Sequence, residues 1–244
     1  MILSIRRLLF ALLHPNFLFR RLRLGAMKAS IIDLKEIKAI YSDIFYVVEA
    51  GASDGVDTEL MLKELPIVKL YAFEPVQNSY ESLMVKFYGE SRIELSNSAL
   101  SSEEGTSKVY VSSDENAQNG TGSSSLLQPN LHKSIFPSIT FPPEAIQQVK
   151  TVTLDGWAYS TRINGLDLMW LDLQGMELKV LMSGRRLLEN TKLLHIELSR
   201  IALYDQACTK REVESFLKEM GFVSRIMRVG TLTGNALFIN TRFF

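Results

Sequence analysis

Short apolar runs punctuate the chain, and several stop at an acidic residue. Phe45-Tyr-Val-Val48 opens into Glu49-Ala-Gly-Ala-Ser-Asp-Gly55, Val68-Lys-Leu-Tyr-Ala-Phe73 stops at Glu74-Pro75, and Leu166-Asp-Leu-Met-Trp-Leu171 stops at Asp172. Runs of this length bounded by turn signals read as buried strands. Tyr80, Leu83, Met84 and Phe87, three and four residues apart, mark one face of a helix. The pattern predicts a strand into residue 49, a helix from Asp57 or Thr58 to Leu65, a strand over 68–73, a helix from Pro75 to Tyr88 and a strand over 92–95. An extra strand over 105–111 and a Ser, Gly and Asn-rich loop over 112–125 follow. Further strands are expected over 149–154, 166–171 and 192–198, with helices over 175–188 and 210–220 and a terminal hairpin over 222–229 and 236–240. Strands that alternate with helices imply an α/β fold with a doubly wound, mostly parallel sheet.

Open sheets of that kind bind ligands beyond the carboxyl ends of their strands. Gly51, Ala52 and Gly55 allow a tight turn and close approach of a ligand to the backbone there, with Ser53 and Asp54 between them. Glu74 ends the next strand, where its carboxylate can accept from both hydroxyls of a ribose. Gly51 and Gly55 are separated by Ala-Ser-Asp, with no glycine two residues on, so the spacing departs from the dinucleotide fingerprint. A pyrophosphate is therefore less well served than a cofactor lacking phosphate. S-adenosylmethionine fits, since the acidic Glu49 and Asp54 suit its cationic end. A plain strand-turn-helix is the bland alternative.

Composition adds less. The 244 residues are 46% hydrophobic and 22% charged with a formal net charge of zero, which gives no general argument for nucleic-acid binding. That zero hides an asymmetry: residues 1–30 hold six basic residues and no acidic one. Their apolar run, Leu8-Leu-Phe-Ala-Leu-Leu13, is far short of the roughly 20 residues that span a bilayer. The segment reads as a basic amphipathic extension over 1–40, suited to an anionic membrane surface or a partner, or else packed on the domain with its arginines in solvent. Residues 41–244 then form one domain, with a strand-and-loop insertion at about 101–165. A lone Cys208 excludes an internal disulfide and fits a reducing cytoplasm.

Asp172-Leu-Gln-Gly-Met-Glu177 is the second constellation, a strand-end carboxylate before a glycine turn and a helix. Asp172 reads as an acceptor-positioning group, general base or metal ligand, or simply as the helix cap. Glu177 reads as a surface glutamate stabilised by the helix dipole. His195 and Glu197 share a strand face, being two residues apart. A histidine can accept a hydroxyl proton, but one inside an apolar strand is more often core, so Glu197 is the better site candidate. Ser123, Ser124 and Ser125 could bond a polar acceptor or only be solvated. Neither zinc-ligand spacing nor a Gly-x-Ser-x-Gly turn is present.

With these residues assembled, the chain resembles the FkbM family of S-adenosylmethionine-dependent methyltransferases over about residues 45–240. The resemblance rests on Val48 to Gly55, Ala72-Phe-Glu-Pro75, Asn97-Ser-Ala-Leu100, Ser124-Ser-Leu126, Thr153-Leu-Asp155, Leu171 to Glu177, His195-Ile-Glu197, Gly221-Phe222 and Asn235-Ala-Leu-Phe238, in that order. It implies a seven-stranded Rossmann-like sheet, with Glu49, Gly51, Ala52, Ser53, Asp54, Gly55, Glu74, Pro75, Ser98 and Ala99 around the cofactor. Glu49 stands where the family usually has aspartate, which implies a slightly re-cut pocket with its acidic function kept. The implied reaction is methylation of a hydroxyl on a sugar, polyketide or related metabolite, with Asp172 as first choice of base and Glu197 and His195 next. Magnesium ligation by the carboxylates is a secondary reading. A nicotinamide-dependent oxidoreductase and a catalytically silent binding module are the competing classes.

Overall fold

The computed structural model of the chain describes residues 32–114 and 122–244. The basic segment over 1–30, including Leu8 to Leu13, lies outside the described residues, as do 115–121 of the Ser-rich loop.

Seven strands make the main sheet: β1 (Tyr46–Ala50), β2 (Lys69–Phe73), β3 (Ile93–Ser96), β9 (Leu166–Leu171), β10 (Thr191–Ser199), β11 (Phe222–Val229) and β12 (Thr233–Asn240). Their order is β11-β12-β10-β9-β1-β2-β3. The pairings β3 to β2, β2 to β1, β1 to β9 and β9 to β10 are parallel, and β12 runs antiparallel to both β10 and β11. All six residues of β9 are buried, as expected of a central parallel strand covered on both sides. From β1 the chain winds to one side through β2 and β3, then returns to the other through β9 and β10. The crevice outside β1 and β9 is thus a topological switch point, where such sheets hold ligands.

Side chains alternate between two cores. Val47, Leu168, Trp170 and Leu193 join α1 (Leu34–Ile40), α2 (Val56–Glu64) and α3 (Gln77–Lys86) on one face. Val48, Ala50, Met169, Leu171, Leu194 and Ile196 meet α5 (Leu154–Thr161), α6 (Glu177–Met182), α7 (Arg185–Leu188) and α8 (Lys210–Glu219) on the other. Helix α1 falls within the stretch read as extension; Asp33 and Glu36 form a capping box, and Leu34 and Ile37 enter the core.

The single helix expected over 175–188 is two pieces. A Cβ at Gly184 would lie 2.3 Å from Leu154 Cδ2, so α5 packs against bare backbone where the helix breaks. Asp155, expected to end a strand, sits in the first turn of α5 and accepts from the amides of Arg186 and Leu187 at 3.1 and 2.9 Å. On α3, Leu83 is buried as the spacing predicts, but Met84 is 51% exposed and sits outside the core.

The chain between β3 and β9 builds a second layer over the crevice. Strands β4 (Ala99–Ser101), β8 (Gln147–Thr153) and β5 (Gly105–Val109) form a sheet in that order. A short β6 (Ser113–Asp114) and β7 (Ile139–Thr140) pair nearby, with α4 (Leu131–Ile135) between them in sequence. Asn130 and His132 donate their amides to Leu203 O at 3.3 and 2.9 Å, which ties this layer to the segment after β10.

Candidate active site

A cavity of about 620 Å³ opens at the switch point. Its floor is the turn after β1, where the amides of Gly51 and Ala52 donate to Phe73 O at 3.0 and 3.1 Å. Gly51 has φ +91°, and a Cβ there would stand 2.1 Å from Asp172 O, so only glycine lets the ends of β1 and β9 meet. Asp172 N donates to Ala50 O at 3.0 Å, fastening the same junction. The roof is the second layer, through Val109, Val111, Ser112, Ser124, Ser125, Leu126 and Gln147.

Glu74 lines the cavity while only 5% exposed. Each of its oxygens takes one backbone amide, from Ser53 and from Val76, both at 2.8 Å. Burial raises its pKa, and those two amides oppose the rise. Each carboxylate oxygen keeps accepting capacity beyond its amide. Gly51, Ser53, Asp54, Pro75, Ala99 and Asp172 also line the cavity.

Glu49 requires a correction. It is 1% exposed, does not line the cavity, and accepts from Thr58 Oγ1 at 2.6 Å. Burial, opposed by that bond, pushes its pKa up to about 8, so the group is mainly a neutral acid at pH 7. Of the two acidic residues the sequence offered to a cationic ligand, Asp54 lines the cavity and Glu49 does not. Ala52, Gly55 and Ser98 are likewise outside the lining. Ser98 is buried with its hydroxyl 2.8 Å from that of Ser96, and Gly55 is the left-handed residue that begins α2.

At the β9 and β10 ends, carboxyl groups gather. Gln174 Nε2 donates to Asp172 Oδ1 at 2.6 Å and to Glu197 Oε2 at 2.8 Å. Asp172 Oδ1 and Glu197 Oε2 thus accept from one amide nitrogen, which brings the two carboxyl groups side by side. Burial raises both, and the charge of Asp172 pushes Glu197 further up. Glu197 stands behind Asp172, outside the main cavity. Asp172 does not cap the following helix, whose N-cap is Met176. Glu177, expected on the surface, is 4% exposed and accepts from the amides of Leu173 at 2.9 Å and Gly175 at 3.0 Å, bracing the turn that carries Gln174.

His195 is also a correction. Its ring stacks on Trp170 at 3.4 Å between centroids, it is 2% exposed, and it does not line the cavity. Burial lowers its pKa to about 3, so it stays neutral in the core and is not brought to an acceptor. The residues that sequence reasoning missed are Gln174 and Tyr204. Gln174 sat between named residues in Asp-Leu-Gln-Gly, and an amide wedged before a turn glycine was the available signal. Tyr204 lies on no periodic element and offered none.

Among the described residues, no group of three or more His, Cys, Asp or Glu side chains is arranged to hold a metal ion. No helix of the described residues is long and apolar enough to cross a membrane.

Residues 49–224 match the family described as the Methyltransferase FkbM domain. The chain is 27% identical over 197 residues to the 2-O-methyltransferase NoeI of Sinorhizobium fredii (strain NBRC 101917 / NGR234), covering 80% of this chain and 79% of that one. A solved FkbM methyltransferase from Methylobacillus flagellatus KT is similar at 14% identity and TM-score 0.48, covering 82% of this chain; this chain spans 44% of that one. Magnesium protoporphyrin IX methyltransferase from Synechocystis PCC 6803, solved with bound SAM, is similar at 8% identity and TM-score 0.47, covering 85% of this chain and 76% of that one.

Proposed function

The chain belongs to the FkbM methyltransferase family, and from that premise we propose that it is an S-adenosylmethionine-dependent O-methyltransferase acting on a hydroxyl of a small molecule or glycan. The observation that carries the reading is one continuous cavity that has Glu74 and Asp172 in its wall. Its ionisable lining is three carboxylates, Asp54, Glu74 and Asp172, against the ammonium of Lys86. Lys86 Nζ is already engaged with Gly55 O at 3.0 Å and Glu59 at 3.1 Å. Such a wall suits a ligand with cationic groups and repels a pyrophosphate. The volume exceeds the low end of ordinary cofactor pockets, at roughly 300 Å³, by enough to admit an acceptor as well.

S-adenosylmethionine supplies an electrophilic methyl group on a sulfonium when bound. Glu74 would hold its ribose hydroxyls, and the turn from Gly51 to Asp54 would pack against the rest of it. Asp172, at the other side of the cavity, is placed to take a proton from an acceptor hydroxyl, which is a poor nucleophile until relieved of it. The second layer shields this chemistry from water through Val109, Val111 and Leu126 and orients the acceptor. The neutral polar side chains on the same wall, Ser112, Ser124, Ser125 and Gln147, match a hydroxylated acceptor without fixing a charge on it. The 2-O-methyltransferase name of the relative supports oxygen as the methylated atom.

A thermal-shift series tests the reading. S-adenosylmethionine and its demethylated product are expected to stabilise the chain by about 2.7 kcal/mol at a hundredfold excess over Kd, with NAD inert. Stabilisation by NAD alone would overturn it. Label from the methyl of the donor should then appear in an alkali-stable ether when hydroxylated acceptors are screened.

A further inference from the structure

Gln174 occupies a conformation that its side chain does not favour. Its φ is +50°, and Gly175 follows at +100°. Left-handed backbone is costly for a residue with a Cβ, and glycine or asparagine adopts it more readily. Strain of this kind at a site is retained when the side chain does something a smaller one cannot. Here both N–H bonds of the amide are spent on two carboxyl groups, Asp172 and Glu197. The amide oxygen and Ser123 O both lie within reach of the one Tyr204 phenol proton, at 3.1 and 2.7 Å from Oη. Gln174 O accepts from Ser125 Oγ at 3.0 Å, while that oxygen accepts from Leu127 N at 3.1 Å. Gln174 is thus engaged from behind through both its side-chain and its main-chain oxygen.

We propose that Gln174 is a positioning residue, whose amide bridges Asp172 and Glu197 into one proton-sharing pair and leaves Asp172, the member on the cavity wall, as the carboxylate that receives the acceptor's proton. This rests on the methyltransferase reading above. The acceptor oxygen bonds the methyl carbon as that carbon's bond to the sulfonium sulfur breaks, with the electron pair left on a neutral thioether; the hydroxyl proton passes to Asp172, so the pair, starting with one proton, holds two until water removes one. An amide suits the bridge because it donates twice without titrating, whereas a third carboxyl would compete for the same proton. The groups facing the pair are Asp57 on α2, Glu177 on α6 and the Tyr204 phenol, all acidic. The charges of Asp57 and Glu177 discourage full ionisation, burial works in the same direction, and burial with the neighbouring carboxylates keeps the phenol neutral. Against that rise, Asp172 is held down by its bonds with Glu197 and Gln174, and Glu197 by its bond with Gln174.

The test uses the full chain with carboxyl-labelled Asp and Glu, followed by NMR against pH without any ligand. Asp172→Asn and Glu197→Gln assign the two signals. Gln174→Met keeps the length of the side chain and removes both donors. The upper titration should then rise by at least about one pH unit. The acid limb of the kcat profile should rise with it, and kcat should fall by about tenfold or more, with the S-adenosylmethionine KM within about twofold. Tyr204→Phe should move both in the same direction by less, and Gln174→Glu, equal in shape, should fail to restore kcat. If Gln174→Met does not fold, the Tyr204→Phe and Gln174→Glu chains decide the question by the same two readouts. Unmoved titrations beside unchanged kcat would overturn the proposal, as would a rise in cofactor KM in place of a fall in kcat. Shifted titrations in a chain that transfers no methyl group would sink the enzymatic reading and leave the bridge standing.

Discussion

Carboxyl groups stand just beyond β2 and just beyond β9, at the same edge of the same sheet, and their partners differ. Glu74 is met by main-chain amides, one on each oxygen. Asp172 is met by another carboxyl and by a side-chain amide. Backbone donors are fixed in number and never take up a proton, so under the proposed function the Glu74 side would serve as a static acceptor for a ligand's hydroxyls. A carboxyl partner can give or take a proton, so the Asp172 side can change charge in place. On the proposed function, identical residue chemistry on one rim would be divided into binding and proton handling by what lies around each group.

The largest expected effect falls on the Asp172 side. Asp172→Asn removes the proton acceptor while keeping its shape, and kcat should drop by about 10²–10⁴. Titration calorimetry should show cofactor affinity changed by no more than about threefold. A collapse of binding with normal turnover at saturation would mean that the two sides of the rim are not divided as described.

Glu49 sharpens the comparison because it belongs to neither side. In the folded chain it holds its proton up to about pH 8, whereas an unfolded glutamate ionises near about pH 4.3. Its contribution to stability is therefore full below the unfolded value and is lost as pH rises, at about 1.4 kcal/mol per pH unit, with the loss complete once pH passes the folded value. Glu49→Gln should keep a bond with Thr58 and flatten that slope, making the variant the more stable one at pH 7. Urea melts at pH 5 and pH 7.5 would show it; an unaltered slope would mean that Glu49 is ionised and available to a ligand after all.

The smallest of these effects belongs to Glu74. Glu74→Ala should weaken S-adenosylmethionine by about 1.5–3 kcal/mol, the worth of hydrogen bonds to a charged group, while kcat at saturation is largely kept. Unchanged affinity in calorimetry would remove Glu74 from the binding side.

Much of the fold was legible because burial on both faces leaves a clear trace. β9 was read to the residue, since an unbroken apolar run flanked by turn signals has few other interpretations. The rim positions followed from where such runs stop. The second layer was less legible: β6 and β7 are two residues each, too short for any period to show. The break between α6 and α7 depends on Leu154 arriving from 30 residues upstream, which a local pattern cannot express. At the site, the sequence showed which acidic residues lie near the rim and not how each is satisfied. Glu49 and Glu74 look alike in sequence, and Thr58 in one case and two amides in the other separate them. His195 and Glu197 share a strand face, yet Trp170 claims the histidine.

The pairing of β1 with β9 joins Val47 to Leu168, about 120 residues apart along the chain. Contacts of such separation form late, since much loop entropy is lost before they give anything back. Trp170 lies in β9 between Glu49 of β1 and His195 of β10, and Trp157, the second of the two tryptophans, packs on Tyr71 and Phe73. The chain therefore carries its own optical probe of this step. Emission from Trp170 would change when the central strands close around it, and a refolding experiment on Trp157→Phe would time the moment at which the two halves of the rim first face each other.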